Sequence, residues 1–259
     1  MTERAQGSYA QVNGLKMYYE RHGTGRPLVL LHGGVHTIDL SFGPVIPALS
    51  TGHQVIAVEL QGHGRTADID REMTMQAFAE DVVALLDLLG IEQADLFGFS
   101  LGGMTALETA VRFPERVGRL VLASVSYRPD GYLDEIRDPA LQAASTRLPT
   151  EADFKEMLDA YTAIAPHPEH FQAFLAKTSA AATQGTWSED DLRGLAAPTL
   201  LLFGDTDFIR LDHAVQMHAL IPDAQLAVLP YCTHMGVMRR TELVLPMVNR
   251  FLAGTHAGA

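Results

Sequence analysis

Cysteine, long apolar runs and positive charge are all scarce in this chain. Cys232 is the only cysteine among 259 residues, which excludes an intramolecular disulfide and a metal cluster held by several thiolates. No apolar stretch reaches the roughly 18 residues that indicate a membrane span. The first eleven residues also lack the apolar segment of a signal peptide. We therefore expect a cytoplasmic protein without membrane contact, in which Cys232 is a bystander thiol.

The charge balance is acidic and argues against polyanionic partners. Nineteen Lys and Arg face 31 Asp and Glu, a formal net charge of −12, so nucleic acid is not expected as the main partner. Histidines and carboxylates show no spacing of the metalloprotease type, and no metal or organic cofactor is expected. A small molecule is the expected partner, and a monomer and a homodimer both fit.

Apolar runs of strand length alternate with helical patterns along most of the chain. The first two runs flank Asn13-Gly14, a dipeptide typical of a two-residue hairpin turn. The later runs are uninterrupted, as in strands buried on both faces of a parallel sheet. They span residues 28–31, 54–59, 94–99, 119–125, 198–203 and 225–229. This alternation predicts an α/β fold with a mostly parallel sheet flanked by helices.

Helical periodicity is clearest in two segments outside the strands. Apolar residues one turn apart predict an amphipathic helix over 74–89, ended by Gly90, with Asp81 on its solvated flank. A closing helix is expected over 241–252, which Pro246 should disturb unless it lies in the first turn. The tail from Gly254 onward is expected to fray.

Between residues 126 and 191 the pattern changes, because strand signals vanish while proline and charge rise. The best helical segments there are 151–164 and 169–182. We therefore predict a core domain of residues 1–125 and 192–259, interrupted by a helical cap at 126–191. A cap at the carboxyl ends of the strands would cover a site on that edge and shape its pocket.

The sequence Gly98-Phe99-Ser100-Leu101-Gly102 stands where a strand turns into a helix. That context is the one in which a G-x-S-x-G pattern presents a nucleophilic serine. The glycines avoid collisions at a tight turn, and the N–H of Leu101 at the helix start points to where an oxyanion would form. Ser100 is the predicted nucleophile.

A serine hydroxyl needs a base and a carboxylate that orients the base. His234 follows the final predicted strand in a short polar loop and is the predicted base. Asp205 and Asp207 both follow the preceding strand and compete for the role of the acid. His63 lies in a glycine-rich turn and is expected to be structural. Arg65 is expected to tie loops together.

These motifs resemble those of the α/β-hydrolase fold family over nearly the whole chain. The resemblance includes His32-Gly33-Gly34 after an early strand, and it implies Gly34 as the second oxyanion donor beside Leu101. In that family the acid commonly ends a Gly-x-x-Asp stretch, which maps to Asp207. An alternative place for the acid follows the strand after the Ser100 helix, and it holds Ser124 and Ser126 here. Two departures are Glu59, where many relatives have Asp, and Cys232-Thr233 in place of a small glycine before His234.

The predicted activity is cleavage of a small-molecule carboxylic ester through an acyl-enzyme on Ser100, with Asp207 and His234. A lactonase, a carbon–carbon bond hydrolase and a cofactor-free perhydrolase would use the same three residues. A small-molecule receptor of this fold is the non-enzymatic alternative. The choice of substrate depends on the inserted segment and is not legible from the pattern.

Overall fold

The computed structural model describes residues 6–254, and the tail expected to fray beyond Gly254 lies outside the described residues. Its eight described strands form one sheet in the order β1-β2-β4-β3-β5-β6-β7-β8. The strands are β1 Gln6–Val12, β2 Leu15–His22, β3 Arg26–Leu31, β4 His53–Val58, β5 Ala94–Phe99, β6 Val117–Ala123, β7 Thr199–Gly204 and β8 Ala224–Leu229. The pairs β1·β2 and β2·β4 are antiparallel and the other pairs are parallel. The predicted fold class is therefore confirmed.

The helices before β6 flank the first half of the sheet. They are α1 Ile38–Phe42, α2 Ile46–Leu49, α3 Met75–Leu88 and α4 Leu101–Arg112. The hairpin turn has positive φ at Asn13 and at Gly14, as its dipeptide predicts.

Between β6 and β7 the described elements are helical. They are α5 Asp134–Arg137, α6 Pro139–Gln142, α7 Glu151–Ile164, α8 Phe171–Ala182 and α9 Glu189–Arg193, with short 3₁₀ turns among them. This content fits the expected insertion, while the division into core and cap stays a prediction. After β7 come α10 Leu211–Leu220, α11 His234–Arg239 and α12 Thr241–Leu252.

The strands bury both faces because their side chains alternate between two apolar clusters. On β3, Val29 and Leu31 pack with α3 and α4 in one cluster, whereas Leu28 and Leu30 pack with α1, α2 and α12 in the other. Layers of helices on both sides of a parallel sheet leave its carboxyl edge as the place where loops from several strands meet.

Two local expectations are wrong. Asp81 is buried rather than solvated, because it accepts hydrogen bonds from Asn13 and from the guanidinium of Arg71. Pro246 lies inside α12, beyond its first turn. The helix continues past the missing N–H while its buried face, including Val244 and Val248, packs against the sheet.

Candidate active site

Ser100 lies at the end of β5, in a backbone conformation that is unusual for a residue with a side chain. Its φ is 52° and its ψ is −117°, and such strained backbone concentrates at functional sites. The turn requires glycine on both sides. A Cβ on Gly98 would lie 2.3 Å from the carbonyl oxygen of Gly102, and a Cβ on Gly102 would lie 2.0 Å from that of Leu31. Close backbone approach therefore explains the pattern around Ser100.

The three residues predicted as nucleophile, base and acid are brought together. Ser100 Oγ is 2.9 Å from His234 Nε2, and His234 Nδ1 is 2.9 Å from Asp207 Oδ1. Because a carboxylate can only accept, the Nδ1–H of His234 donates to Asp207, which leaves Nε2 to accept from the Ser100 hydroxyl. His234 and Asp207 are buried.

Asp207 is fixed on every side. Its Oδ1 also accepts from the N–H of Ile209 at 3.1 Å, its Oδ2 accepts from the hydroxyl of Ser124 at 2.6 Å, and its main-chain oxygen accepts from Arg147 at 3.1 Å. Asp205 has a different position, since its Oδ1 accepts from the N–H of Cys232 at 3.0 Å. The main-chain N–H groups of Cys232 and Tyr231 hold the pKa of Asp205 below its usual range. Of the two competing carboxylates, only Asp207 reaches His234.

His234 is the first residue of α11, a helix that the sequence pattern did not reveal. Thr233 caps it, since its hydroxyl accepts from the N–H of Gly236 at 3.3 Å. The ring of Phe208 stacks on the imidazole with centroids 3.9 Å apart. Thr233 in the place of a glycine therefore has a local role as the helix cap, and the ring of Phe208 packs against the imidazole.

The loop after β3 approaches the start of α4. A Cβ on Gly34 would lie 3.7 Å from Leu101 Cβ. The N–H of Gly33 is already used, because it donates to the hydroxyl of Ser41 at 3.2 Å. Within residues 6–254, the N–H groups of Gly34 and Leu101 have no such protein acceptor. The loop thus brings Gly34 against Leu101 with both N–H groups unused by protein acceptors, and their role as oxyanion donors stays a prediction.

This loop is held in its strained shape by a buried polar pair. Val35 has a φ of 61°, rare for a β-branched residue. Next to it, Nδ1 of His36 lies 2.9 Å from the hydroxyl of Ser41. Burial lowers the pKa of His36 to about 3, so a neutral Nδ1 can accept from Ser41. The sequence pattern gives no signal for His36 and Ser41, because their contact joins a loop residue to a helix residue and depends on how the loop folds.

His32 and His63 are buried structural histidines, and neither hydrogen-bonds to Ser100, His234 or Asp207. His32 donates through Nδ1 to the oxygen of Gly33 at 2.8 Å and accepts through Nε2 from the N–H of Leu60 at 3.1 Å. Burial lowers its pKa to about 4. His63 lies 2.9 Å from the oxygen of Gln61 through Nδ1 and packs against Phe174. The structural interpretation of His63 fits these contacts.

Glu59, where many relatives have Asp, holds Arg65 from a buried position. It is fully buried and accepts from the N–H of Arg65 at 2.6 Å and from its guanidinium at 2.9 Å. Arg65 also lies over the ring of Tyr18 and 3.5 Å from Asp39. Burial raises the pKa of Glu59 to about 7. Arg65 therefore ties the loop after β4 to β2 and α1, in line with its expected role.

The remaining reactive side chains take no part in the hydrogen bonds that join Ser100, His234 and Asp207. Burial raises the pKa of Cys232 to about 11, which keeps the thiol protonated and weakly nucleophilic. On the surface, donor atoms of His167, Glu169 and His170 lie within 4.8 Å of one another. Nδ1 of His167 is 3.5 Å from the Glu169 carboxylate, the geometry of an exposed ion pair.

None of the helices in residues 6–254 has both the length and the apolar character needed to cross a bilayer.

Comparison with known proteins identifies the family. The model of the alpha/beta hydrolase fold matches residues 26–162. The chain is 30% identical to a 2-hydroxymuconate semialdehyde hydrolase of Pseudomonas sp. (strain CF600), over 95% of this chain and 93% of the relative. It is 28% identical to a 2-hydroxy-6-oxononadienedioate/2-hydroxy-6-oxononatrienedioate hydrolase of Comamonas testosteroni, over 93% of each chain.

A solved structure is similar over the same extent. The meta-cleavage product hydrolase from Pseudomonas fluorescens superposes with a TM-score of 0.79 at 25% identity, over 96% of this chain and 98% of that one. Matched sequence, matched topology and the strand-end serine lead to one assignment: the chain belongs to the α/β-hydrolase fold family.

Proposed function

We propose that this hydrolase cleaves a small-molecule carboxylic ester by acyl transfer through Ser100. The observation that carries the proposal is the hydrogen-bonded line from Ser100 Oγ through His234 to buried Asp207, with distances of 2.9 Å on both sides of the imidazole. A base held in the correct tautomer beside a strained serine is what nucleophilic catalysis at a carbonyl requires.

The geometry suggests the order of bond changes. Ser100 Oγ attacks the carbonyl carbon while its proton passes to His234 Nε2, and the N–H groups of Gly34 and Leu101 stabilise the oxyanion. His234 returns that proton to the leaving alkoxide as the carbon–oxygen bond breaks. A water molecule then gives a proton to His234 as its oxygen attacks the acyl carbon. The bond from that carbon to Ser100 Oγ breaks while His234 returns the proton to Oγ, which releases the acid and restores the Ser100 hydroxyl. Asp207 remains an anion throughout and stabilises the imidazolium.

An alcohol is the leaving group that the hydrogen-bonded line of Ser100, His234 and Asp207 can serve with its own residues. The described side chains next to it include the ring of Phe208, stacked on His234, and Met104, one turn beyond Ser100 on α4. The thioether of Met104 lies 4.0 Å from the hydroxyl of Tyr132. The nearby cation Arg147 donates to the main-chain oxygen of Asp207. An alkoxide needs only the proton from His234, whereas a carbon leaving group departs as a carbanion whose charge must also be delocalised, by the substrate itself or by a further group.

Carbon–carbon bond hydrolysis is the second candidate, and the relatives favour it. Proteins named as hydrolases of 2-hydroxymuconate semialdehyde and of 2-hydroxy-6-oxo-dienoates match this chain at 26–30% identity along most of its length. The same serine, base and oxyanion donors would attack a ketone carbonyl. The two candidates differ in the bond that breaks after that attack.

The experiment treats wild type and Ser100→Ala with a fluorophosphonate probe and follows the intact mass. In parallel, p-nitrophenyl acetate, p-nitrophenyl butyrate and 2-hydroxymuconate semialdehyde are offered as substrates. We expect labelling and ester turnover in wild type and a loss of several orders of magnitude in the variant. Labelling with turnover of the semialdehyde alone would favour the second candidate. Ser100→Ala with the wild-type rate would refute both, and binding without labelling would favour a receptor.

A further inference from the structure

Two neighbouring strands end in the same way at the carboxyl edge of the sheet. After β5, the N–H of Ser100 continues the ladder by donating to the oxygen of Ala123 at 2.9 Å. After β6, the N–H of Ser124 donates to the oxygen of Leu202 at 2.8 Å. After each strand the backbone turns through a residue with positive φ, 52° at Ser100 and 54° at Ser124. Both serines are therefore aimed by the same device, a strained turn directly after the last ladder bond.

Their hydroxyls meet the two ends of one hydrogen-bonded line. Ser100 Oγ contacts His234 Nε2, and Ser124 Oγ donates to Asp207 Oδ2 at 2.6 Å. Ser124 is 1% exposed and Asp207 is 1% exposed, so water does not replace this donor. Asp207 Oδ1 is shared by His234 and the N–H of Ile209, whereas for Oδ2 the structure provides the hydroxyl of Ser124.

We infer that Ser124 is a positioning residue for the reaction, acting through Asp207. This inference rests on the proposed function and adds a fourth member to its machinery. A carboxylate can rotate about its bond to Cβ unless both oxygens are held. With Oδ2 held by Ser124, Oδ1 stays in the plane of the imidazole and His234 keeps Nε2 directed at Ser100. A hydrogen bond to an ion is also stronger than one between neutral groups, which suits a charge that must persist in a buried place.

The strain at Ser124 distinguishes this role from a merely structural one. If position 124 served only to turn the chain, glycine would be the better residue, because it adopts positive φ without steric cost. Alanine would keep the strain and lose the hydroxyl. The pair Ser124→Gly and Ser124→Ala therefore separates backbone shape from hydrogen bonding.

A nearby serine supplies the matched control. Ser126 is also 1% exposed, and its hydroxyl donates to the oxygen of Arg128 at 2.6 Å and lies 3.0 Å from His213 Nε2. These contacts have no connection with Asp207. Ser126→Ala removes a buried hydroxyl of the same segment without touching the line.

The experiment compares wild type with three variants of the whole chain: Ser124→Ala, Ser124→Gly and Ser126→Ala. The readouts are the rate of fluorophosphonate labelling, kcat and KM on p-nitrophenyl butyrate, Tm, and the downfield ¹H resonance of the proton between His234 and Asp207. We expect both Ser124 variants to lose roughly 10- to 100-fold in labelling rate and kcat, the scale of one hydrogen bond to a charged group. KM should stay within about twofold, and the resonance should weaken or broaden. Ser126→Ala should keep the wild-type rate and resonance.

Each other outcome is decisive. Wild-type rates in Ser124→Gly would show that the position serves only the turn and would overturn the inference. An equal loss of kcat in Ser126→Ala would assign the effect to packing of the segment, with the same consequence. If wild type neither labels nor turns over, the proposed function fails. The resonance still tests the hold on Asp207 in that case, since an unchanged signal in Ser124→Ala contradicts it and a lost one supports it.

Discussion

The carboxyl edge of the sheet and the helical segment between β6 and β7 are built by different means. At the edge, the backbone has positive φ at Val35, Ser100, Ser124 and Tyr231, and each such residue costs of the order of 1–3 kcal/mol. In the described part of the helical segment, the residues other than glycine have ordinary φ. Its helices instead rely on capping boxes at Thr150 and at Ser188.

The same contrast holds for side chains. At the edge, buried polar groups are joined by hydrogen bonds between residues far apart in the chain, such as Ser124 with Asp207. On the helical segment, Phe154 is 52% exposed and Leu158 is 41% exposed. The structure of the edge thus depends on individual hydrogen bonds between distant residues, whereas that of the helical segment depends mainly on the local sequence pattern. Substitutions of equal size should therefore have unequal effects in the two regions.

The largest expected effect separates the two carboxylates of one loop. Asp207→Asn should lower kcat about 10⁴-fold, because an amide no longer selects the Nδ1–H tautomer of His234. Asp205→Asn keeps an oxygen acceptor for the N–H of Cys232 and should stay near the wild-type rate. Steady-state kinetics on p-nitrophenyl butyrate, with Tm as the control for folding, measures both. Equal losses in the two variants would show that the edge is less specific than its contacts indicate.

Acid should weaken the edge through His32. Its pKa is about 4 in the fold against 6.5 as the reference value, because complete burial disfavours the charged imidazolium. The unfolded chain therefore binds more protons between these values. The contribution to stability is complete above pH 6.5 and falls by about 3 kcal/mol as the pH drops to 4.

Urea unfolding at pH 8, 6.5, 5 and 4 measures this dependence. We expect His32→Gln to be less stable than wild type at pH 8 but to lose about 3 kcal/mol less on acidification. His218→Gln, at an exposed position of α10, should follow the wild-type dependence. Parallel curves for His32→Gln and wild type would contradict the prediction.

A substitution at Trp187 should measure how much its contact stabilises the packing of the helical segment on α4. Trp187 is buried, and its Nε1–H donates to Glu108 on α4 at 2.6 Å. Trp187→Phe keeps an aromatic ring and removes this donor, which should lower the free energy of unfolding by about 2 kcal/mol. Glu108→Gln keeps an acceptor and should cost less. Urea unfolding checks both, and a Trp187→Phe curve that superposes on wild type would count against the contact.

The contrast between the regions also explains what the sequence revealed. Strand runs, the Asn13-Gly14 hairpin and the setting of Ser100 follow from short-range patterns, and they predicted the fold and the places of Ser100 and His234. The choice of Asp207 over Asp205 came from the family resemblance, and the structure places only Asp207 beside His234. Patterns could not reveal contacts between residues distant in the chain.

Asp81 and Ser124 illustrate that limit. Periodicity places Asp81 on a flank of α3, but its partner Asn13 lies in the hairpin turn, 68 positions away. The sequence pattern indicates Ser124 only as a position without an acid, because its partner Asp207 lies 83 positions away. Burial of a polar group depends on such partners, so a single sequence gives no signal for it. Ser124 and its partner Asp207 are such residues at the carboxyl edge of the sheet.

The smallest expected effect lies on the helical segment. Phe154→Ser removes a large apolar side chain that is about half exposed on α7, so the free energy of unfolding should change by less than about 0.5 kcal/mol and kcat should stay unchanged. Met157→Ser on the same helix is the matched control, since Met157 is 6% exposed and its loss opens a cavity that costs at least about 2 kcal/mol. Urea unfolding and ester turnover are measured together. If Phe154→Ser lowered kcat while leaving stability intact, the exposed face of α7 would take part in binding substrate, and the division between a specified edge and a tolerant helical segment would fail at that residue.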